Sequence, residues 1–252
     1  MNNGYAVILA GGRGERFWPL STPERPKQFL TLFGGVTLLA QAVQRLQGLI
    51  PPERVIVITS QDLVTLTQRE VPELPVENII GEPCGRDTAA ACALACALVE
   101  QRDPHGVVAI LTADQIMSDV AAFRQTLADA IAVALAHDVI VTLGIVPTAP
   151  ATGFGYIKVA EPFAVGVTTP FSRVERFVEK PNLATAQRYL DDGGYCWNAG
   201  MFIWRVAVMR RALAQFVPHL DALCQRVVEA PRTAVAATIA AIYPGLPRIS
   251  VD

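Results

Sequence analysis

Residues 7–30 read "VILAGGRGERFWPLSTPERPKQFL" and join an apolar run to a glycine-rich, basic segment. The run belongs to a short strand that begins near Tyr5 and leads directly into Gly11, Gly12 and Gly14. A continuous apolar run of this length is typical of a strand covered on both faces of a parallel sheet. Such sheets bind ligands at the carboxyl ends of their strands, where glycines let backbone N–H groups approach phosphate oxygens. The pattern predicts an anion site after the first strand.

The basic residues of this segment fit a triphosphate ligand. Arg16 can make a bidentate contact with a phosphate group, and Lys27 supplies a compact, mobile charge. A tight turn followed by solvated arginines is the alternative interpretation. Two common nucleotide loops are excluded, because no Lys-Ser or Lys-Thr pair exists and Phe17 stands where the dinucleotide fingerprint requires glycine.

Composition limits the classes of partner. The 252 residues are 52% hydrophobic and 17% charged, which is typical of a chain with a large core. The net charge of −2 gives no electrostatic basis for binding nucleic acid or a membrane surface, so we expect neither partner. The five cysteines form no CxxC pair, which favours thiols packed in a core over a zinc site. Unpaired thiols of this kind predict a reducing, cytoplasmic location.

Strand and helix patterns alternate along the first part of the chain and become irregular after residue 150. Strands are predicted at 5–10, 54–60, 78–81, 107–111 and 139–146, and helices at 38–49, 61–70, 87–101 and 119–137. Further strands are predicted within 154–159, 171–180 and 195–204, and further helices at 183–192, 206–216, 219–229 and 232–242. This alternation predicts right-handed βαβ units in an α/β fold, with a mostly parallel mixed sheet flanked by helices.

Seven motifs occur in one order across the chain. After the opening segment come "GEPCGRDTAAA" (81–91), "TADQI" (112–116), "TGFGYI" (152–157), "FVEKP" (177–181), "WNAGMFIW" (197–204) and "ISVD" (249–252). The chain thereby resembles the mannose-1-phosphate guanylyltransferases among the sugar-phosphate nucleotidylyltransferases. The resemblance implies one Rossmann-like nucleotidylyltransferase domain over 1–252, with a nucleotide-binding half at 1–150 and a sugar-phosphate-binding half at 151–252. It also implies a C-terminal region beyond residue 252 that this chain does not include.

The resemblance implies a reaction as well. GTP and α-D-mannose 1-phosphate would give GDP-mannose and pyrophosphate with the help of Mg²⁺ or another divalent cation. The alternatives are the same chemistry on another sugar 1-phosphate or base, and a non-catalytic sugar-nucleotide-binding protein. A homodimer stays an open expectation.

Site residues follow from the motifs and the resemblance together. Catalytic roles are expected for Arg16, Lys27, Asp114 and Lys180. The nucleotide-binding set is Leu9, Ala10, Gly11, Gly12, Arg13, Gly14, Glu82, Arg86, Asp87 and Thr88. The sugar phosphate would contact Gly155, Glu179, Lys180 and Asn198. The metal ligands would be Asp114, at the end of a strand, and Asp252, after a predicted "ISV" strand.

Several of these residues have alternative roles. Asp114 could instead cap the helix predicted near residue 119, and Asp87 could be a helix N-cap rather than a nucleotide ligand. The family has Asn-Thr-Ala-Pro where this chain has Asp87-Thr88-Ala89-Ala90, and it has His where this chain has Gln115. Glu179 and Lys180 point to opposite faces of a regular strand, so both reach one ligand only if the strand ends irregularly at Pro181.

Overall fold

The structure is a computed structural model that describes residues 3–12, 18–22, 24–32 and 34–251. The chain forms two compact units. The first comprises Met1–Ile140 and Ile203–Val251, and the second comprises Val141–Phe202. Residues 203–251 pack with the first unit rather than with the segment that precedes them. The nucleotide-binding half at 1–150 and the sugar-phosphate-binding half at 151–252 stay predictions.

The first unit is built on parallel strands. They are β1 (Gly4–Ala10), β2 (Val55–Ser60), β3 (Ile79–Glu82) and β4 (Val107–Thr112). β1 pairs with both β2 and β4, and β2 pairs with β3, all in parallel. Because parallel strands end at the same edge, the segments after Ala10, Ser60 and Thr112 are brought together.

Helices cover these strands. They are α1 (Leu38–Gln44), α2 (Val64–Glu70), α3 (Asp87–Glu100), α4 (Val120–Ala136), α6 (Val206–Phe216), α7 (Pro218–Glu229) and α8 (Val235–Ile242). Every residue of α3 from Ala89 to Val99 is buried, which is typical of a helix packed on all sides. The thiol of Cys224 in α7 donates to the carbonyl of Ala93 in α3 at 3.2 Å, and Cys92 and Cys96 are buried and unbridged. None of the helices in the described ranges is long and apolar enough to cross a bilayer.

The second unit contains antiparallel strands and one helix. Its elements are β5 (Val141–Ile145), β6 (Tyr156–Pro162), β7 (Ser172–Val178), α5 (Leu183–Asp192) and β8 (Tyr195–Arg205), the last of which continues into the first unit. β6 pairs with β7 and with β8, and β5 pairs with β8. The predicted fold class, α/β with a mixed sheet flanked by helices, is confirmed.

The predicted start of helix α1 is confirmed, and the hydroxyl of Thr37 caps it by accepting from the Ala40 amide at 3.2 Å. Two other local predictions are wrong. The predicted "ISV" strand does not form; instead the Ile249 carbonyl accepts from the Ala89 amide, at the start of α3. Asp87 is not the N-cap of α3, because the helix begins at Asp87 itself and no side chain caps it. Asp87 has a φ of 58°, a left-handed conformation that few residues other than glycine adopt.

Candidate active site

A lysine and an aspartate meet at the carboxyl edge of the parallel strands. Lys27 begins the short 3-10 helix Lys27–Phe29, and Asp114 lies two residues after β4. The Lys27 ammonium donates directly to the Asp114 carboxylate, although the residues are 87 positions apart. The two side chains are only 22% and 30% exposed, so the pair is partly shielded from water. Asp114 is not a helix cap, because Asp119 caps α4 by accepting from the Ala122 amide at 2.8 Å.

The glycine loop begins beside this pair. The Ala10 carbonyl accepts from the Gln28 amide at 2.7 Å and from the Thr59 hydroxyl at 3.1 Å, which fixes the end of β1. Gly11 and Gly12 then emerge into solvent. A Cβ on Gly12 would lie 3.9 Å from Cε of Lys27. The loop backbone, the lysine and the aspartate are therefore within reach of one ligand.

Glu82 packs against the other side of the loop. A Cβ on Gly11 would lie 2.7 Å from Oε2 of Glu82, so a larger residue at this position would have to displace the carboxylate. The hydroxyl of Tyr243, a fully buried side chain, donates to Oε1 of Glu82. Burial raises the pKa of Glu82, and the Tyr243 hydrogen bond offsets part of that rise. Tyr243 thus fixes the carboxylate that borders Gly11.

The raised pKa of Glu82 predicts how Glu82→Gln changes stability with pH. Below the ordinary glutamate pKa of 4.5 the carboxyl is protonated in both states, so the substitution changes little. As pH rises through the higher pKa of the folded protein, the wild type loses stability because its buried carboxyl must ionise, whereas glutamine does not ionise. We expect Glu82→Gln to raise the melting temperature at neutral pH relative to wild type, and to do so less in acid.

The measurement is thermal unfolding of the ligand-free chain as a function of pH. Glu73→Gln is the matched control, since Glu73 is exposed and its substitution should give no such pH-dependent gain. A melting temperature that Glu82→Gln lowers more at neutral pH than in acid would contradict this assignment.

The start of α3 is tied to the end of the chain. Arg86 donates to the Pro244 carbonyl, and the Thr88 hydroxyl accepts from the Val251 amide at 2.9 Å. The hydroxyls of Thr88 and Ser250 are 3.4 Å apart. Of the predicted nucleotide-binding residues in this segment, Arg86 and Thr88 therefore already have partners within the chain, while Asp87 is exposed.

A buried arginine supports the loop that follows Asp114. Arg45 is 5% exposed, and its guanidinium donates to the Gln115 carbonyl at 2.8 Å and to the Gln41 carbonyl at 3.3 Å. Burial lowers the pKa of Arg45, and the negative charge of Asp114 partly opposes that effect. Arg45 consequently joins α1 to the segment that carries the aspartate.

The second unit brings together the four predicted sugar-phosphate residues. A Cβ on Gly155 would lie 3.4 Å from Oε2 of Glu179 and 3.7 Å from Cβ of Asn198. The Asn198 amide donates to the Gly155 carbonyl at 2.8 Å, and the Glu179 side chain is 70% exposed. β7 ends at Val178 and Lys180 has a φ of 27°, so the strand ends irregularly as required. The Lys180 ammonium pairs with the Glu179 carboxylate.

Some site residues cannot be placed. Arg13, Gly14, Arg16 and Asp252 lie outside the described residues, so their expected roles stay predictions. Leu9 and Ala10 end β1, next to the glycines. Sequence reasoning did not identify Tyr243, Arg45, Gln28 or Thr59, whose roles depend on contacts between segments far apart in the chain. Of these four residues, only Gln28 gave a signal in the sequence, because it directly follows Lys27 in the "RPKQF" segment.

The sequence is similar to a known protein family. A family model described as nucleotidyl transferase matches residues 5–241. The chain belongs to the nucleotidyl transferase family. A mannose-1-phosphate guanylyltransferase of Escherichia coli K12 is 40% identical over 230 residues, which are 90% of this chain and 48% of that protein. The xanthan biosynthesis protein XanB of Xanthomonas campestris is 39% identical over 231 residues, or 91% of this chain and 48% of XanB.

A solved structure has the same fold. This nucleotidyl transferase chain aligns with a Thermus thermophilus protein named as a mannose-1-phosphate geranyltransferase, with a TM-score of 0.86 and 37% identity. The alignment covers 99% of this chain and 70% of that chain. The present chain spans about half the length of the curated relatives it matches.

Proposed function

We propose that the chain transfers GMP from GTP to α-D-mannose 1-phosphate, giving GDP-mannose and pyrophosphate. The contact between Lys27 and Asp114 beside Gly11 and Gly12 is the observation that carries this proposal. It places one cation and one carboxylate at the carboxyl edge of a parallel sheet, where a triphosphate and its metal would be bound. The name of the Escherichia coli relative, mannose-1-phosphate guanylyltransferase, supports GTP as the donor and mannose 1-phosphate as the acceptor. We also propose a cytoplasmic location, because a reducing compartment keeps thiols such as those of Cys92, Cys96 and Cys224 reduced.

The residues of the first unit would hold GTP. Backbone N–H groups of Gly11 and Gly12 would face the phosphates, and Lys27, with Arg16 as its expected partner, would neutralise charge on the β- and γ-phosphates. Glu82, fixed by Tyr243, would border the nucleoside. A homodimer is not needed for any of these contacts.

The residues of the second unit would hold the hexose phosphate. Glu179 can accept hydrogen bonds from sugar hydroxyls, and Gly155 leaves room for the ring to approach. The side-chain oxygen of Asn198 accepts from the Gly200 amide at 2.9 Å, and its side-chain NH₂ group can donate to a sugar oxygen. Lys180 would exchange its contact with Glu179 for the sugar phosphate, which offers more negative charge.

Asp114 fits a role as a magnesium ligand. Mg²⁺ is usually held by one or two carboxylates together with substrate phosphates and water, rather than by a complete protein cage. In the described ranges no three acidic, histidine or cysteine side chains cluster as a metal cage, which agrees with a site completed by the substrate. Asp252 is the proposed second ligand. The bound ion would lower the negative charge of the triphosphate.

The reaction needs positioning rather than a general base. A phosphate oxygen of mannose 1-phosphate, already anionic near neutral pH, forms a bond to the α-phosphorus of GTP as the bond to pyrophosphate breaks. Charge gathers on the leaving pyrophosphate, and Lys27 is placed to stabilise it. The histidines, at positions 105, 137 and 219, lie outside every motif and are assigned no step.

The proposal is tested by pyrophosphate release. We expect the fastest release when GTP, mannose 1-phosphate and Mg²⁺ are all present, and none without a sugar 1-phosphate or after a chelator removes the metal. Other nucleoside triphosphates and sugar 1-phosphates should react more slowly, and faster release with one of them would reassign the substrate. No release with any pair would instead indicate a protein that binds sugar nucleotides without catalysis.

A further inference from the structure

A cavity of about 690 Å³ lies in the first unit, separate from the Lys27–Asp114 pair. Its lining includes residues of the edge strand β3 and of helices α2 and α8. Tyr5, Asn78 and Arg102 line one end of the cavity, which we call its charged end because of Arg102. Tyr5 is near the start of β1 and Asn78 comes just before β3, whereas Asp114 follows the end of β4. Since a strand of six residues is roughly 20 Å long, the charged end lies far from the proposed catalytic edge.

Three arginines face this cavity: Arg54, Arg102 and Arg232. In the part of the chain that the structure describes, none of them forms an ion pair with a carboxylate within 4.0 Å. Burial, followed by the positive charge of Arg232, lowers the pKa of Arg102. The negative charge of Glu77 partly opposes this lowering. Two like charges that are held close, neither of them in an ion pair with a carboxylate of the described residues, favour the binding of an anion.

Arg102 is held in place by a buried amide. Its Nη1 donates to Oδ1 of Asn78 at 2.8 Å, and Asn78 is 1% exposed. The Asn78 amide nitrogen in turn donates to the Val55 carbonyl at 2.8 Å and to the Glu53 carbonyl at 3.1 Å. Arg54 lies with its guanidinium 5.2 Å from the centre of the Tyr5 ring. The guanidinium of Arg102 is therefore oriented before any ligand arrives, which reduces the entropy lost on binding.

The remaining lining residues fit hydroxyl groups and a carbon skeleton. Glu53 and Glu77 also line the cavity, so its formal charge from three arginines and two glutamates is +1. Carboxylates accept hydrogen bonds from hydroxyls, as does the amide oxygen of Gln101. Val235 and Ile239 provide apolar surface for C–H groups. The volume falls within the range of small-molecule sites, about 300–1,000 Å³.

We infer that this cavity is a second ligand site, for a phosphorylated polyhydroxy compound of sugar-phosphate size. Arg102 and Arg232 bind the phosphate, and Glu53 and Glu77 accept from the hydroxyls. One guanidinium group can donate two parallel hydrogen bonds to two oxygens of the same phosphate, whereas a lysine ammonium acts as a single point charge. The site does not depend on the reaction proposed above, because none of its lining residues belongs to the Lys27–Asp114 pair or the glycine loop.

Isothermal titration calorimetry tests the site with three probes: mannose 1-phosphate, a hexose 6-phosphate and a hexose bisphosphate. A reference protein with its cavity unchanged is compared with Arg102→Gln, Arg232→Gln and the control Arg248→Gln, an exposed arginine that does not line the cavity. All titrations use the Lys180→Gln background, which removes the proposed sugar-phosphate contact of the second unit. We expect at least one probe to bind and each cavity substitution to weaken it about 10- to 100-fold, as expected for the loss of a charged hydrogen bond.

Two controls keep the result decisive. Arg232 is exposed, so Arg232→Gln should fold even if Arg102→Gln does not, and circular dichroism checks both. Inorganic phosphate and unphosphorylated mannose are titrated as the separate halves of the ligand, and each should bind more weakly than the best probe. Binding that neither cavity substitution changes, or no binding by any probe, would overturn the site. Phosphate alone binding as tightly as the best probe would overturn the role of Glu53 and Glu77.

Discussion

Asp114→Asn is expected to lower turnover of GTP and mannose 1-phosphate by about 10³-fold or more, while GTP still binds measurably. The substitution keeps the size of the side chain and removes its charge. It thereby removes the carboxylate that contacts Lys27 and would hold the metal. Because negative charge builds up on the leaving pyrophosphate in the transition state, the loss falls mainly on kcat. Steady-state pyrophosphate release and GTP titration measure the two effects separately.

Asp119→Asn is the matched control for this variant. Asp119 lies five residues further along the same segment and caps α4 through the Ala122 amide at 2.8 Å. Asparagine caps helices about as well as aspartate, so both turnover and stability should stay close to wild type. Near-wild-type turnover of Asp114→Asn, measured alongside this control, would remove Asp114 from the mechanism.

Lys27→Gln is expected to lower kcat by about 10²- to 10³-fold and to raise the KM for GTP as well. The lysine would bind the triphosphate in the ground state and stabilise the leaving pyrophosphate in the transition state. Its removal therefore affects both constants, in contrast to the effect predicted for Asp114→Asn. Initial rates over a range of GTP concentrations provide both values.

Lys158→Gln is the control for the lysine. Only three of the 21 basic residues are lysines, so the comparison uses a scarce residue type. Lys158 lies in the second unit, 4.0 Å from Glu175 and from Asp192, and 5.2 Å from the centre of the Tyr195 ring. Partly exposed pairs of this kind contribute about 0–1 kcal/mol to stability, so turnover should change little. Equal losses in Lys27→Gln and Lys158→Gln would mean that the Lys27 effect is not specific to its site.

The fold was predictable where local sequence determines local structure. Helix α5 runs from Leu183 to Asp192 as predicted, because Asn182 caps it through the Thr185 amide and Gly193 ends it with a φ of 68°. The "ISV" segment shows the opposite case. Its β-branched residues favour a strand, but its hydrogen bonds go to the start of α3, a partner that no local pattern reveals.

The candidate site was predictable as a set of residues but not as a set of contacts. Parallel strands end at one edge, so Gly11 and Asp114 could be expected near each other from the βαβ pattern. The pairing of Lys27 with Asp114 depends on how the segment after the glycine loop folds back. Tyr243 was missed because it lies 161 positions from Glu82, in a segment without a motif.

The central claim is that Lys27 and Asp114 share one ligand, a triphosphate with its divalent ion. Water-proton relaxation with Mn²⁺ tests it most directly, because the enhancement reports ions that are held on a macromolecule. Titrations with Mn²⁺ and GTP would compare wild type, Asp114→Asn and Asp119→Asn. The predicted result is a GTP-dependent enhancement in wild type and Asp119→Asn that weakens at least about tenfold in affinity in Asp114→Asn. Equal enhancement in all three proteins would contradict the account.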